Sequence, residues 1–101
     1  MSDPTREEVN SLTGPVVLEF GAEWCPHCRA IQAFLTSMLA KHQNIRHIRV
    51  EDGRGRPLGR SFRVILWPTL VFLRDGQVVS QMARPSSAEI AQGFAELSAG
   101  D

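Results

Sequence analysis

Cys25 and Cys28 are the only two cysteines in the chain, and they stand three residues apart in Trp24-Cys25-Pro26-His27-Cys28. Two thiols at that spacing can close a disulfide and open it again. One must attack as a thiolate, and so should be accessible and acidic. The other must stay shielded until it resolves the mixed disulfide. A small disulfide-stapled domain would carry more cysteines at wider spacing, so a lone Cys-x-x-Cys reads as a redox site rather than a staple. The pattern turns helical from Cys25 onward. Cys25 therefore lies where unpaired backbone N–H groups stabilise a thiolate, and Pro26 suits the first helical position, where no intrahelical donor is needed. Cys28 follows nearly one turn later with its sulfur on the same side. Cys25 is thus the expected nucleophile and Cys28 the resolving thiol.

Elements of recognisable type surround this pair. Val16-Val17-Leu18-Glu19-Phe20 is a short apolar run of the kind that forms a central buried strand. Asp3-Pro4, or Thr5 with Glu8 as a capping box, opens a short helix before it, reaching about Leu12 and ended by Thr13-Gly14-Pro15. After Cys25, Ile31, Phe34, Leu35, Met38 and Leu39 recur at helical spacing, giving one helix to about Lys41-His42. Ile45 to Val50 is a second strand, and Gly53-Arg54-Gly55-Arg56-Pro57 leads to a short segment at Leu58 to Phe62. Thr69 to Leu73 and Gln77 to Met82 flank the hairpin turn Asp75-Gly76. Ser86 and Glu89 cap a last helix carrying Ile90, Phe94 and Leu97 on one face. A helix between the first two strands permits a right-handed parallel crossover, and the last two strands are antiparallel. The expected fold is α/β: a mixed four-stranded sheet with helices on both faces.

With 101 residues the chain has room for one domain, residues 1–101. Lys+Arg and Asp+Glu both number 11, so no net charge draws it to nucleic acid or to an anionic membrane. Arg54, Arg56, Arg60 and Arg63 read as a solvated loop, not a nucleic-acid surface, and His42 and His47 read as surface residues. The N-terminus is polar and no apolar run is long enough to span a bilayer. The expected location is cytoplasmic, or periplasmic if a signal peptide has been removed.

The segment Phe20 to Cys28 resembles the active-site segment of the thioredoxin family. Trp67-Pro68-Thr69 resembles that family's cis-proline loop, and Asp75-Gly76 the hairpin that follows it. Two separated motifs in the right order make the resemblance specific, and it runs from about Val16 to the final helix. It implies a thioredoxin-like α/β/α sandwich, with the family's first strand missing. It also implies a protein disulfide oxidoreductase without a cofactor beyond the Cys25–Cys28 disulfide. Its partners would be protein disulfides or dithiols and a recycling reductase or oxidase, with the chain acting as a monomer.

The resemblance implies roles for further residues. Pro68 should be cis, an isomer found in about 5–6% of X–Pro bonds, and should lie across from the cysteines. Trp67 would offer backbone groups to an extended substrate, with Trp24 and Thr69 beside it. Glu19 takes the place of the family's buried acid, where burial would raise its pKa and let it take the proton of Cys28. Arg49 on the adjacent strand is placed to compensate its charge. Three departures from thioredoxin stand out: Pro26-His27 between the cysteines, the large Trp67, and Arg84 where the family has a glycine on its docking surface. Pro-His is the dipeptide of the periplasmic oxidant DsbA, whose large helical insertion is absent here. A protonated His27 would stabilise the Cys25 thiolate and make the couple more oxidising, between about −270 mV for thioredoxin and about −120 mV for DsbA. Two rival readings are a non-catalytic assembly module and a zinc or iron–sulfur site using Cys25, His27 and Cys28.

Overall fold

The computed structural model describes residues 3–99. Its elements in chain order are α1 (Arg6–Asn10), β1 (Pro15–Gly21), α2 (Pro26–Ala30), α3 (Gln32–Lys41), β2 (Arg46–Glu51), α4 (Pro57–Ser61), β3 (Thr69–Arg74), β4 (Gln77–Ala83) and α5 (Ser87–Ser98). The sheet order is β2-β1-β3-β4. β1 runs parallel to β2 and antiparallel to β3, and β3 pairs antiparallel with β4. This is the thioredoxin-like four-stranded mixed sheet, and among the described residues no strand precedes β1.

Alternation along β1 divides the core in two. Val16, Leu18 and Phe20 face one side with Val9, Leu58 and Phe62 from the α1 and α4 regions. Val17 faces the other with Leu35 and Met38 of α3 and Ile90, Phe94 and Leu97 of α5. Gly93 lets α5 lie close on the sheet, since a Cβ there would come within 2.6 Å of the Phe72 ring. The Asp75-Gly76 turn has positive φ at both residues, 52° and 78°, the twist that favours a tight hairpin. Gly76 also lies against the Asn10 carbonyl and has no room for a side chain.

Of the two caps open in the sequence the structure shows one, and one boundary differs. Thr5, not Asp3, caps α1, with Glu8 N–H donating to Thr5 Oγ1 at 3.1 Å and Thr5 N–H donating to Glu8 Oε1 at 2.8 Å. Two reciprocal bonds are worth more than one cap. The helix expected from Cys25 to Lys41 is broken at Ile31. The Gln32 side chain reaches back and donates to the Cys28 carbonyl at 3.0 Å, and a side chain entering the helical ladder interrupts it. The break follows directly behind the cysteines.

Candidate active site

β1 ends at Gly21, and the chain turns through Ala22 to Trp24 before Cys25 caps α2. Pro26 takes the first helical position, so the cap geometry needs no donor from it. Cys25 and Cys28 are free thiols, packed with Ala22 and covered by Trp67. Their accessibilities are nearly equal, 4% and 2%. The sequence reading expected an exposed nucleophile and a shielded partner, and exposure does not make that distinction. Hydrogen bonding does.

Cys28 N–H donates to Cys25 Sγ at 3.3 Å, and the His27 backbone N–H and the Cys28 thiol also donate to that sulfur. Burial alone would raise the Cys25 thiol, but these three donors and the positive charge of Arg84 bring it below its ordinary value of 9.0. The reverse holds for Cys28. Burial, its hydrogen bond to Cys25 and the negative charges of Cys25 and Glu19 push it up to about 11, against a single lowering contact from the Ala22 backbone. One proton shared between the sulfurs makes Cys25 the thiolate and Cys28 the thiol. His27 donates its backbone N–H to Cys25, and Arg84 adds a positive charge.

Glu19 is buried at 2% exposure on the face of β1 that also carries Val17. Its Oε2 accepts from Gln32 Nε2 at 2.6 Å, and its Oε1 is bonded to His47 Nε2 at 2.8 Å. Burial would raise its pKa, but the bonds to His47 and Gln32 and the charges of His47 and Arg49 outweigh it, and the carboxyl is lowered below 4.5. The expected raised pKa is therefore overturned. Arg49 does pair with Glu19 in the sheet register, as anticipated. His47, read as a plain surface residue, is the direct partner. It lies two residues from Arg49 on β2, and only the parallel register brings it within reach. A cleft of about 310 Å³ opens behind Cys28, lined by Glu19, Gly21, Arg49, Glu51 and Arg56 among others.

The front of the site is the loop before β3. The Trp67–Pro68 peptide bond is cis and Pro68 is buried. Trp67 packs against the cysteines, meets Trp24 edge-on at 5.5 Å, and donates from Nε1 to Asp52 Oδ2 at 2.8 Å. Trp24 is 67% exposed, and Ile65 and Leu66, just before Trp67 in the chain, are exposed apolar residues as well. Thr69, expected to touch substrate, is 2% exposed and donates its hydroxyl to the Leu66 carbonyl at 2.7 Å. It braces the loop from beneath, because the strand alternation turns it inward. Arg84 is exposed and donates from Nε to the Trp67 carbonyl at 2.9 Å.

Sequence reasoning missed His47, Gln32, Asp52 and Gly21. A Cβ at Gly21 would come within 2.6 Å of Cys28 Sγ, so the glycine makes room for the resolving thiol. Gln32 could have been anticipated, since it follows Cys28 by one helical turn. The other three depend on contacts between distant segments. Among the described residues, no three His, Cys, Asp or Glu side chains are grouped to hold a metal ion.

The thioredoxin family model matches residues 3–96. The chain belongs to the thioredoxin family. It is 35% identical over 77 residues to thioredoxin Asp f 28 of Aspergillus fumigatus, covering 76% of this chain and 71% of that one. To the H-type thioredoxin of Ricinus communis it is 28% identical over 87 residues, 86% and 74% of the two chains. The solved structure of reduced thioredoxin 2 from Pseudomonas aeruginosa superposes with a TM-score of 0.85 at 45% identity, covering 98% of this chain and 93% of that one. Family membership supplies the general reaction, thiol–disulfide exchange, and the thioredoxin-like fold. The roles of individual residues rest on the geometry above.

Proposed function

We propose that this protein is a thiol–disulfide oxidoreductase that exchanges disulfides with protein substrates through Cys25 and Cys28. The observation that carries the reading is the opposite tuning of the two sulfurs by their shared proton. The Cys25 thiolate attacks a substrate disulfide and forms a mixed disulfide, releasing one substrate thiolate. Cys28 then loses its proton, attacks Cys25 Sγ and closes the Cys25–Cys28 disulfide, releasing the second thiolate. Two electrons pass to the substrate, and the reverse sequence oxidises a substrate dithiol. A partner reductase or oxidase resets the pair.

Glu19 acts in the second step. It is held ionised, and its charge keeps Cys28 protonated until the mixed disulfide has formed. The proton then leaves by way of Glu19 into the cleft behind Cys28 and to solvent. Glu19→Gln discriminates between the charge and relay roles. The Cys28 pKa should fall below about 11, while single-turnover resolution slows. Faster resolution in this variant would refute the relay.

A thiolate stabilised by three donors and a cation stabilises the reduced form, so the couple should be more oxidising than thioredoxin. Equilibration with glutathione tests this, and a potential at or below about −270 mV would sink it. Insulin reduction with Cys25→Ser as control tests the activity itself. No turnover by the wild type would favour an assembly module of the same fold instead. The chain as one working unit, a monomeric state and a cytoplasmic site of action belong to the same proposal, checked by light scattering and by cell fractionation.

A further inference from the structure

Arg84 follows β4 and sits beside the loop that faces Cys25. Its backbone N–H donates to the Pro68 carbonyl at 2.7 Å, and its Nε donates to the Trp67 carbonyl at 2.9 Å. One residue thus grips two successive carbonyls of the loop. It does so with φ at +48°, a left-handed conformation that glycine adopts freely and arginine does not. Strain held at a site is a reason to look for a function there. The guanidinium has five N–H donors, and only the one on Nε has a protein partner among the described residues. The remaining edge, exposed to solvent, is a fork matched to a carboxylate.

The nearby acidic groups do not neutralise it. Asp52 is held by the Trp67 indole, and Glu19 lies behind the cysteines with His47 and Gln32. Its charge reaches Cys25, whose thiolate it favours. Trp24 and Leu66, adjacent in the chain to Cys25 and Trp67, are apolar and exposed.

We propose that Arg84 is the specificity-determining residue of the exchange site, pairing its free guanidinium edge with a carboxylate beside the reacting cysteine of the substrate. The inference rests on the oxidoreductase reading above. A substrate segment lying along Trp67-Pro68 places its cysteine at Cys25 and an adjacent side chain at Arg84. An aspartate or glutamate there forms an ion pair, and a lysine is repelled.

The test uses two disulfide-linked peptide dimers that differ only in glutamate or lysine next to the cysteine. Each is reduced by a single turnover of the full-length reduced protein. The acidic dimer should react about three- to ten-fold faster, the size of an exposed charge pair gained against one opposed. The ratio should fall toward one in high salt. Arg84→Lys should keep the preference and Arg84→Glu should reverse it. A change in Cys25 acidity alters both rates together, and the intrinsic reactivity of each dimer is the same for every variant, so the change in the ratio on substituting Arg84 reports recognition. Thiolate absorbance gives an independent readout that needs no substrate: Arg84→Gly should lower the thiolate-to-thiol ratio of Cys25 about two- to five-fold. A ratio indifferent to Arg84 would overturn the proposal and leave the oxidoreductase reading standing. No reaction with either dimer would overturn both.

Discussion

The front and the rear of the dithiol are built from different materials. In front of Cys25 lie the indole of Trp67, with Trp24 edge-on to it, and a permanent cation, Arg84. Behind Cys28 lie a buried carboxylate, an amide, an imidazole and a cleft. The front is a rim of apolar surface and backbone carbonyls, suited to an extended chain. The rear is a fully bonded polar cluster that only a proton needs to enter. The same short helix divides them. Burial raises both thiols and is the largest influence on each, and the donors and positive charge that reach Cys25 are what bring it below its ordinary value.

The largest expected effects come from the sulfurs themselves. Cys25→Ser should abolish exchange, whereas Cys28→Ser should still attack and accumulate as the mixed disulfide, visible by non-reducing electrophoresis. Equal trapping by both variants would erase the distinction between front and rear. Next is Gly21→Val, which drives a side chain into Cys28. Overpacking of this kind costs about 1–3 kcal/mol, and resolution should slow more than attack. Loss of attack with resolution intact would place Gly21 on the wrong side of the dithiol.

His47→Leu removes the partner of Glu19 Oε1 and leaves a buried acceptor short of a donor. The expected destabilisation is about 1–3 kcal/mol by urea unfolding, with slowed resolution. His47→Gln, which can still donate, should recover most of the stability. At the front, Asp52→Leu frees the Trp67 indole. A rise in KM for protein substrates is expected, with a shift in tryptophan fluorescence and little change in the Cys28 titration.

The smallest effect concerns pH and separates the two thiols directly. Between the lowered pKa of folded Cys25 and 9.0, the unfolded chain holds a proton that the folded reduced protein has lost, so stability rises with pH. From 9.0 to about 11 the folded protein keeps the Cys28 proton that the unfolded chain has lost, and stability falls. The reduced protein should therefore be most stable near pH 9, and the oxidised protein, with no free thiol, should show neither slope. Denaturant unfolding of both forms across this range is the measurement. Acidification acts at the rear: the lowered Glu19 pKa contributes stability that is lost as pH falls through its folded value, below 4.5.

Much of this arrangement is legible in the residue order. Apolar periodicity located the strands and the helical stripes, and Asp75-Gly76 located the hairpin, because those signals arise from neighbours in the chain. Cys25-x-x-Cys28 located one half of the site for the same reason, and the resemblance of Trp67-Pro68-Thr69 to the thioredoxin cis-proline loop located the other. The break at Ile31 escaped detection because a glutamine side chain makes it, without any proline or glycine.

What the sequence by itself determined is the class of chemistry: two thiols at redox spacing, a helix start beneath them, and an acid on the strand before. Which thiol is acidic was readable from the helix start, because three of the four groups that lower Cys25 belong to His27 and Cys28. Tertiary structure decided the rest: the groups that act on Glu19 come from β2 and α3, and Arg84 comes from the segment after β4. The parallel register placed His47 and Arg49 against Glu19, lowering a carboxyl that burial alone would have raised. The turn after β4 set Arg84 beside Trp67, and so brought a permanent cation to Cys25.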